Sequence, residues 1–269
     1  MDTNELQLSE AEQHDAEQRS SVTPHVVHEA VRREGEQELK RSNSALAWSG
    51  LAAGLSMGFS TIAEGVMRAA LPDEPWRPLI TKLGYSAGFI LVILGRQQLF
   101  TENTLTPILP LLHHTGGCTA RNVLRLWVVV FVANLVGTAA VAWVLGNTSL
   151  FEAPVRQAFF DIGREALSLS FGVVVLRGIF AGWLIAMLVW VMPFAEAARL
   201  FVIVALTWLI GAAHFTHVVA GSVDVFVLAG TGQATWGQAL GGYVLPALLG
   251  NIVGGVSLVA AINHAQVVS

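Results

Sequence analysis

Six apolar stretches, at about 44–68, 80–113, 123–146, 166–192, 197–230 and 242–263, dominate the sequence. Each is long enough to cross the roughly 30 Å hydrocarbon core of a bilayer. Backbone N–H and C=O groups find no water there, so a spanning segment outside a closed barrel must be helical. Charged residues make up 13% of the chain, against roughly 25% in soluble domains, which makes a lipid bilayer the expected solvent. The expectation is an all-α membrane protein with six transmembrane helices.

Charge is unevenly placed. Residues 1–43 hold ten acids and five bases, and the remaining 226 residues hold nine acids and ten bases. The net charge of −4 therefore belongs mostly to the N-terminal segment and points to no nucleic-acid partner. Residues 1–43 read as an acidic cytoplasmic tail, with alternating charges over 26–41 that suit a surface helix. Residues 44–263 form the six-helix domain and 264–269 a short C-terminal tail. A basic start followed by a short apolar core is lacking, so no secretory signal peptide is expected and the first apolar stretch serves as signal anchor. Cys118 is the single cysteine, which excludes an intrachain disulfide and a thiolate metal cluster.

The second and fifth stretches are too long and irregular for one straight helix. The second runs through Gly95-Arg96-Gln97-Gln98 to Thr104, and the fifth through Gly211 to His217. Breaks at membrane depth are tolerated where freed backbone groups are buried in protein or line a polar cavity. The two halves also share short motifs. Phe100-Thr101-Glu102 is answered by Phe215-Thr216-His217, 115 residues later, and Asn134-Leu135-Val136-Gly137 by Asn251-Ile252-Val253-Gly254, 117 residues later. Three segments per repeat make the repeats inverted, with helices 2 and 5 broken at the permeation site. Lys and Arg favour both termini in the cytoplasm: Arg32, Arg33, Lys40, Arg41, Arg121, Arg125 and Arg199 fall on that side, and Arg77, Lys82, Arg156 and Arg164 on the other. Trp48, Trp76, Trp127 and Trp236, near segment ends, read as interfacial anchors.

Candidate functional residues cluster at the breaks. His217 offers an imidazole at membrane depth, where ionisable groups are functional by default. His214 shares a metal-like spacing with it, but no nearby Glu or Cys completes a ligand set, so no metal is expected. Leu99 and Phe100 beside Thr101 suit an apolar constriction with one polar contact, or else simple helix packing. Arg96, Glu102, Arg177 and Asp224 fall in or beside apolar runs and should face protein or water and be paired. Arg177 either raises the local anion population or forms a salt bridge with Glu102 or Asp224. Pairing with an arginine is the expected arrangement for Glu102.

Taken together, Leu99-Phe100-Thr101, Asn134-Leu135-Val136-Gly137, Arg177-Gly178-Ile179, Phe215-Thr216-His217 and Gly250-Asn251-Ile252-Val253-Gly254-Gly255 resemble the formate/nitrite transporter family over about residues 44–263. The resemblance implies an aquaporin-like fold of two inverted three-helix repeats, a homopentamer in a bacterial inner membrane with one pore per protomer, and no organic cofactor or enzymatic activity. It implies permeation of formate, nitrite, hydrosulfide or a related monovalent species. Leu99, Phe100 and Thr101 would form one constriction, Ile210 would fall at a second that is often aromatic, and His217 would meet the substrate with Thr101. Gln98 stands where members usually carry an acid, Gly182 where asparagine is common, and Asp224 has no usual counterpart. The resulting expectation is a channel or proton-linked transporter for a small monovalent anion or its neutral acid. A neutral-solute channel of the same fold, and a non-transporting membrane protein acting through its acidic tail, are the alternatives.

Overall fold

The computed structural model describes residues 23–113, 116–262 and 265–266. The expected tail over residues 1–22, and all of the C-terminal tail except 265–266, lie outside the described residues. Every regular element among those described is helical. In chain order they are α1 (Pro24–Leu39), α2 (Asn43–Ala70), α3 (Arg77–Leu94), α4 (Ile108–His113), α5 (Gly117–Asn147), α6 (Ala153–Leu167), α7 (Phe171–Val191), α8 (Arg199–Ala212), α9 (Val218–Gly230) and α10 (Leu245–Ile252). Wider, π-type turns over Gln238–Val244 and Val253–Ala261 extend α10 at both ends.

Among the described residues, five helices are long and apolar enough to cross a membrane: Asn43–Ala70, Arg77–Leu94, Gly117–Asn147, Phe171–Phe194 and Gln238–Ser257. The stretch 197–230 is divided between α8 and α9, of 14 and 13 residues, each too short to span alone. Side-chain placement fits a hydrocarbon solvent. On α5, Val128, Val132 and Val136 form an exposed stripe at helical spacing, while Val130, Asn134 and Gly137 on another face are buried.

α2 packs on α3 and α5, and in the second half α7 packs on α10. α6 links the halves, tied by its Glu165 to Arg68 of α2 at 2.5 Å. Its apolar and charged faces are those of an amphipathic helix, and the fourth span begins only at Phe171, five residues after the expected start.

The helix suggested by alternating charge is present as α1, but it is docked against the bundle. His28, Val31 and Gly35 are buried. Arg125 of α5 fixes its C-terminal end, donating to the carbonyls of Leu39 (2.7 Å) and Arg41 (3.1 Å) and to Asn43 Oδ1 (3.1 Å). Glu38 reaches inward, accepting hydrogen bonds from Thr106 Oγ1 (2.5 Å) and Gln98 Nε2 (3.0 Å).

Candidate permeation site

α3 and α8 end in the same way. The Gln97 N–H bonds Val92 O (3.0 Å) and the Arg96 N–H bonds Ile93 O (3.2 Å), just as Phe215 bonds Ile210 O (2.9 Å) and His214 bonds Gly211 O (3.0 Å). This paired geometry closes a helix with one left-handed residue. Arg96 (φ 50°) and His214 (φ 54°) take that conformation without being glycine, at a cost of about 1–2 kcal/mol each.

Two asparagines then satisfy the chain that leaves each helix end. Asn134 Oδ1 accepts the Phe100 N–H (2.9 Å), and its Nδ2 donates to Gln98 O (2.9 Å) and Gly50 O (2.7 Å). Asn251 Oδ1 accepts the Val218 N–H (2.9 Å), and its Nδ2 donates to Thr216 O (2.9 Å) and Gly178 O (2.8 Å). Both side chains are fully buried. The neighbouring helices must come close for this. A Cβ on Gly54 would lie 2.2 Å from the Asn134 carbonyl oxygen, and one on Gly182 would lie 2.3 Å from that of Asn251.

These bonds fix the register of the repeat. Gln98 pairs with Thr216, Leu99 with His217 and Phe100 with Val218, so the backbone repeats 118 residues apart. The recurring Phe-Thr at 100–101 and 215–216 is three residues out of that register. Glu102 is therefore not the counterpart of His217; Leu99 is.

His217 caps the N-terminus of α9, its Nδ1 accepting the Ala220 N–H at 3.1 Å. With Nδ1 an acceptor, the neutral ring carries its proton on Nε2. Nε2 lies 2.7 Å from Thr101 Oγ1, so the imidazole donates to the threonine hydroxyl. Phe89 stands edge-to-face against the imidazole, with ring centres 5.0 Å apart at 81°. Thr101 and His217 are both fully buried.

A cavity lies on either side of this pair. The proximal one, beside α1, has a volume of about 880 Å³ and is lined by Glu38, Arg96, Gln98, Glu102 and Thr106 among others. The distal one, about 80 Å³, is lined by residues including Lys82, Tyr85, Arg177, His214, Asp224 and Tyr243. Leu99, Phe100, Thr101, Ile210 and His217 line neither cavity and are all buried. Phe100 packs on Trp127 and Phe131, and Trp127 donates from Nε1 to Asn103 O at 2.8 Å. Trp127 thus holds the loop after the first break and is half-buried, whereas Trp48, Trp76 and Trp236 are exposed. Ile210 is buried in the core.

The charged residues pair differently from expectation. Glu102 forms no ion pair among the described residues, and its Oε1 is buried without a hydrogen-bond partner. Arg96, with Arg177 a candidate partner for it, is largely exposed and lies 3.5 Å from Glu34 of α1. Asp224 accepts from Thr61 Oγ1 at 2.6 Å, and Arg177 lines the distal cavity unpaired among the described residues. Sequence reasoning passed over the Glu64–Lys82 ion pair in that cavity, although Glu64 is an acid within an apolar run and could have been found on that ground.

Two broken helices meeting at a buried hydroxyl–imidazole contact, with a cavity on either side, define a membrane transport protein. The chain belongs to the formate/nitrite transporter family, whose profile, described as Formate/nitrite transporter, matches residues 25–265. That family consists of channels and transporters, not enzymes. Inner membrane protein YfdC of Escherichia coli (strain K12) is 42% identical over 241 residues, covering 90% of this chain and 78% of the relative. Among solved structures, an FNT family ion channel superposes with a TM-score of 0.77 at 20% identity, covering 89% of this chain and 98% of its own. A structure titled pentameric formate channel with formate bound gives 0.69 at 20% identity, covering 88% and 99%. The fold is shared with these channels.

Proposed function

We propose that this protein is a channel for a small monovalent anion of the formate or nitrite kind, crossing with its proton or as the neutral acid. The reading rests first on the Thr101–His217 contact. Because His217 donates from Nε2 and Nδ1 is held by the Ala220 N–H, the Thr101 hydroxyl accepts from the ring and keeps its own proton unspent. That hydroxyl is a preorganised donor for an oxyanion arriving between the cavities. Phe89 and Leu99 make the surroundings apolar, which disfavours the charged form of a weak acid and favours its protonated form. Arg177, unpaired in the distal cavity, raises the anion population before entry.

The formate-bound structural neighbour supports the substrate class and a homopentamer with one path per protomer. The 42% identical relative, an inner membrane protein, supports an inner-membrane location. The Lys and Arg bias supports cytoplasmic termini, which makes the α1-side cavity the cytoplasmic vestibule. A neutral-solute channel is the second reading, favoured by the unpaired Glu102 carboxylate in the proximal cavity, which opposes anions.

Stopped-flow flux in proteoliposomes separates the two, using formate, nitrite and a neutral solute such as urea. Anion flux well above empty liposomes, with little urea flux, is expected. His217→Ala should change the pH profile or selectivity about tenfold more than His214→Ala does, since only His217 holds the central hydroxyl. Indistinguishable profiles for the two variants would remove His217 from the mechanism.

A further inference from the structure

The chain contains two tyrosines, and both line the distal cavity. Tyr243 comes from the π-type turn before α10 and is buried. Its ring lies over Gly221 of α9. A Cβ on residue 221 would fall 1.9 Å from the Tyr243 hydroxyl oxygen, 2.4 Å from Cζ and 2.6 Å from Cε1. The tyrosine thus occupies the space that any side chain at 221 would need. Gly221 is four residues beyond His217, and its N–H bonds the His217 carbonyl at 2.9 Å. The hydroxyl therefore sits about one helical turn, roughly 5–6 Å, distal to the imidazole and on the same face of α9.

Each of the polar groups nearest to it has a partner elsewhere. Thr216 Oγ1 donates to Val174 O (2.7 Å), Asp224 accepts from Thr61, and Lys82 is paired with Glu64. Among the described residues the Tyr243 hydroxyl has no hydrogen-bond partner, although buried tyrosine hydroxyls ordinarily find one. The partner must then come through the cavity. At about 80 Å³ this cavity has room for several water-sized groups, and so for a three- or four-atom oxyanion. Arg177, without an ion pair among the described residues, faces the same space, which the acids Asp224 and Glu165 also line.

Resting on the anion-channel reading above, we propose that Tyr243 is a specificity-determining residue of the path. Its hydroxyl, seated in the space left by Gly221, donates a hydrogen bond to a small oxyanion one turn distal to Thr101 and His217. The station favours anions whose oxygens accept strongly over anions of similar size that accept weakly. Formate and nitrite belong to the first kind. Hydrosulfide, whose sulfur is a poor acceptor, belongs to the second.

The test is flux of formate, nitrite and hydrosulfide through full-length protein in liposomes, with wild type, Tyr243→Phe and Gly221→Ala compared at one pH. Tyr243→Phe should lower formate and nitrite flux about tenfold, the loss of one hydrogen bond to a charged group, and leave hydrosulfide within about twofold. Gly221→Ala, whose methyl displaces the hydroxyl, should shift selectivity in the same direction. Should that variant fail to assemble, Tyr243→Phe alone decides. An equal fall for all three anions, or none, would overturn the proposal while leaving the channel reading in place. A wild type that passes none of the three would overturn both.

Discussion

The first helix break and the second share a backbone and differ in their chemistry. Both close with a left-handed non-glycine residue, Arg96 or His214, and both are held by an asparagine from another helix. One residue before the bonded N–H, the first half presents Leu99 and the second presents His217. Beyond that point the paths diverge. The second half runs directly into the 13-residue α9, whereas the first passes through a 3₁₀ turn at Glu102–Thr104 before the six-residue α4. That irregular passage turns Thr101 toward His217 of the other half. Duplication supplied a symmetric scaffold, and the polar contact depends on where that symmetry fails.

The sharpest way to break this comparison is to remove the asparagines. Asn134→Ala and Asn251→Ala each delete three hydrogen bonds and leave buried backbone groups unpaired, a loss on the order of 3–5 kcal/mol. The two variants should lower the apparent melting temperature in detergent by similar amounts. A large loss in one and none in the other would show that the breaks are not equivalent.

A smaller effect is expected at Glu102, on the half that lacks the histidine. Since no cation pairs with it among the described residues, Glu102→Gln should assemble normally and melt at or above the wild-type temperature. At a pH high enough to ionise this buried carboxyl, removing its negative charge from the proximal cavity should raise anion flux about two- to fivefold. Failure to assemble would show that the carboxylate holds a cation in the native protein.

The smallest effect concerns α1, which only the first half carries against its break. Burial pushes the Glu38 carboxyl above the ordinary carboxylate range, with Glu34 adding to this and the bonds from Thr106 and Gln98 opposing it. A raised value means that docked α1 binds the proton more readily than undocked α1. Docking is then complete below the ordinary carboxylate pKa and weakens as pH rises through the raised one. Amide exchange over residues 24–39 should be faster at pH 8 than at pH 5, after correction for intrinsic rates, and Glu38→Gln should abolish the difference. An unchanged pH dependence in that variant would assign it to another group.

The apolar spans and both interruptions were legible because hydropathy and local breakers carry them: the expected stretch 80–113 resolves into α3, a loop and α4, and 197–230 into α8 and α9. The repeat was legible in kind but not in register. Phe-Thr recurs by accident near the breaks, while the residues that fix the register do so through backbone groups, for which identity of side chain is irrelevant. Pairing was the least legible. Thr61 with Asp224, Lys82 with Glu64 and Glu38 with Thr106 join different elements, and composition does not tell which faces will meet. The Tyr243 ring over Gly221 was hidden for the same reason, since the signal at 221 is a missing side chain.

Arg125 has a mechanical consequence. Its three bonds pin the junction of α1 and α2, so an α1 that leaves its docked place swings as a rod hinged at one end, about 24 Å long from Leu39 to Pro24. Glu38 lies one residue from the end of that rod, close to the pivot, where leverage works against it. A tilt that lengthens the Glu38–Thr106 bond by about 0.5 Å carries the far tip through several ångströms, given a lever ratio of roughly eight. Tip displacement is therefore an amplified readout of a sub-ångström event at the mouth of the path, and a label near Pro24 would work as the needle of the gauge.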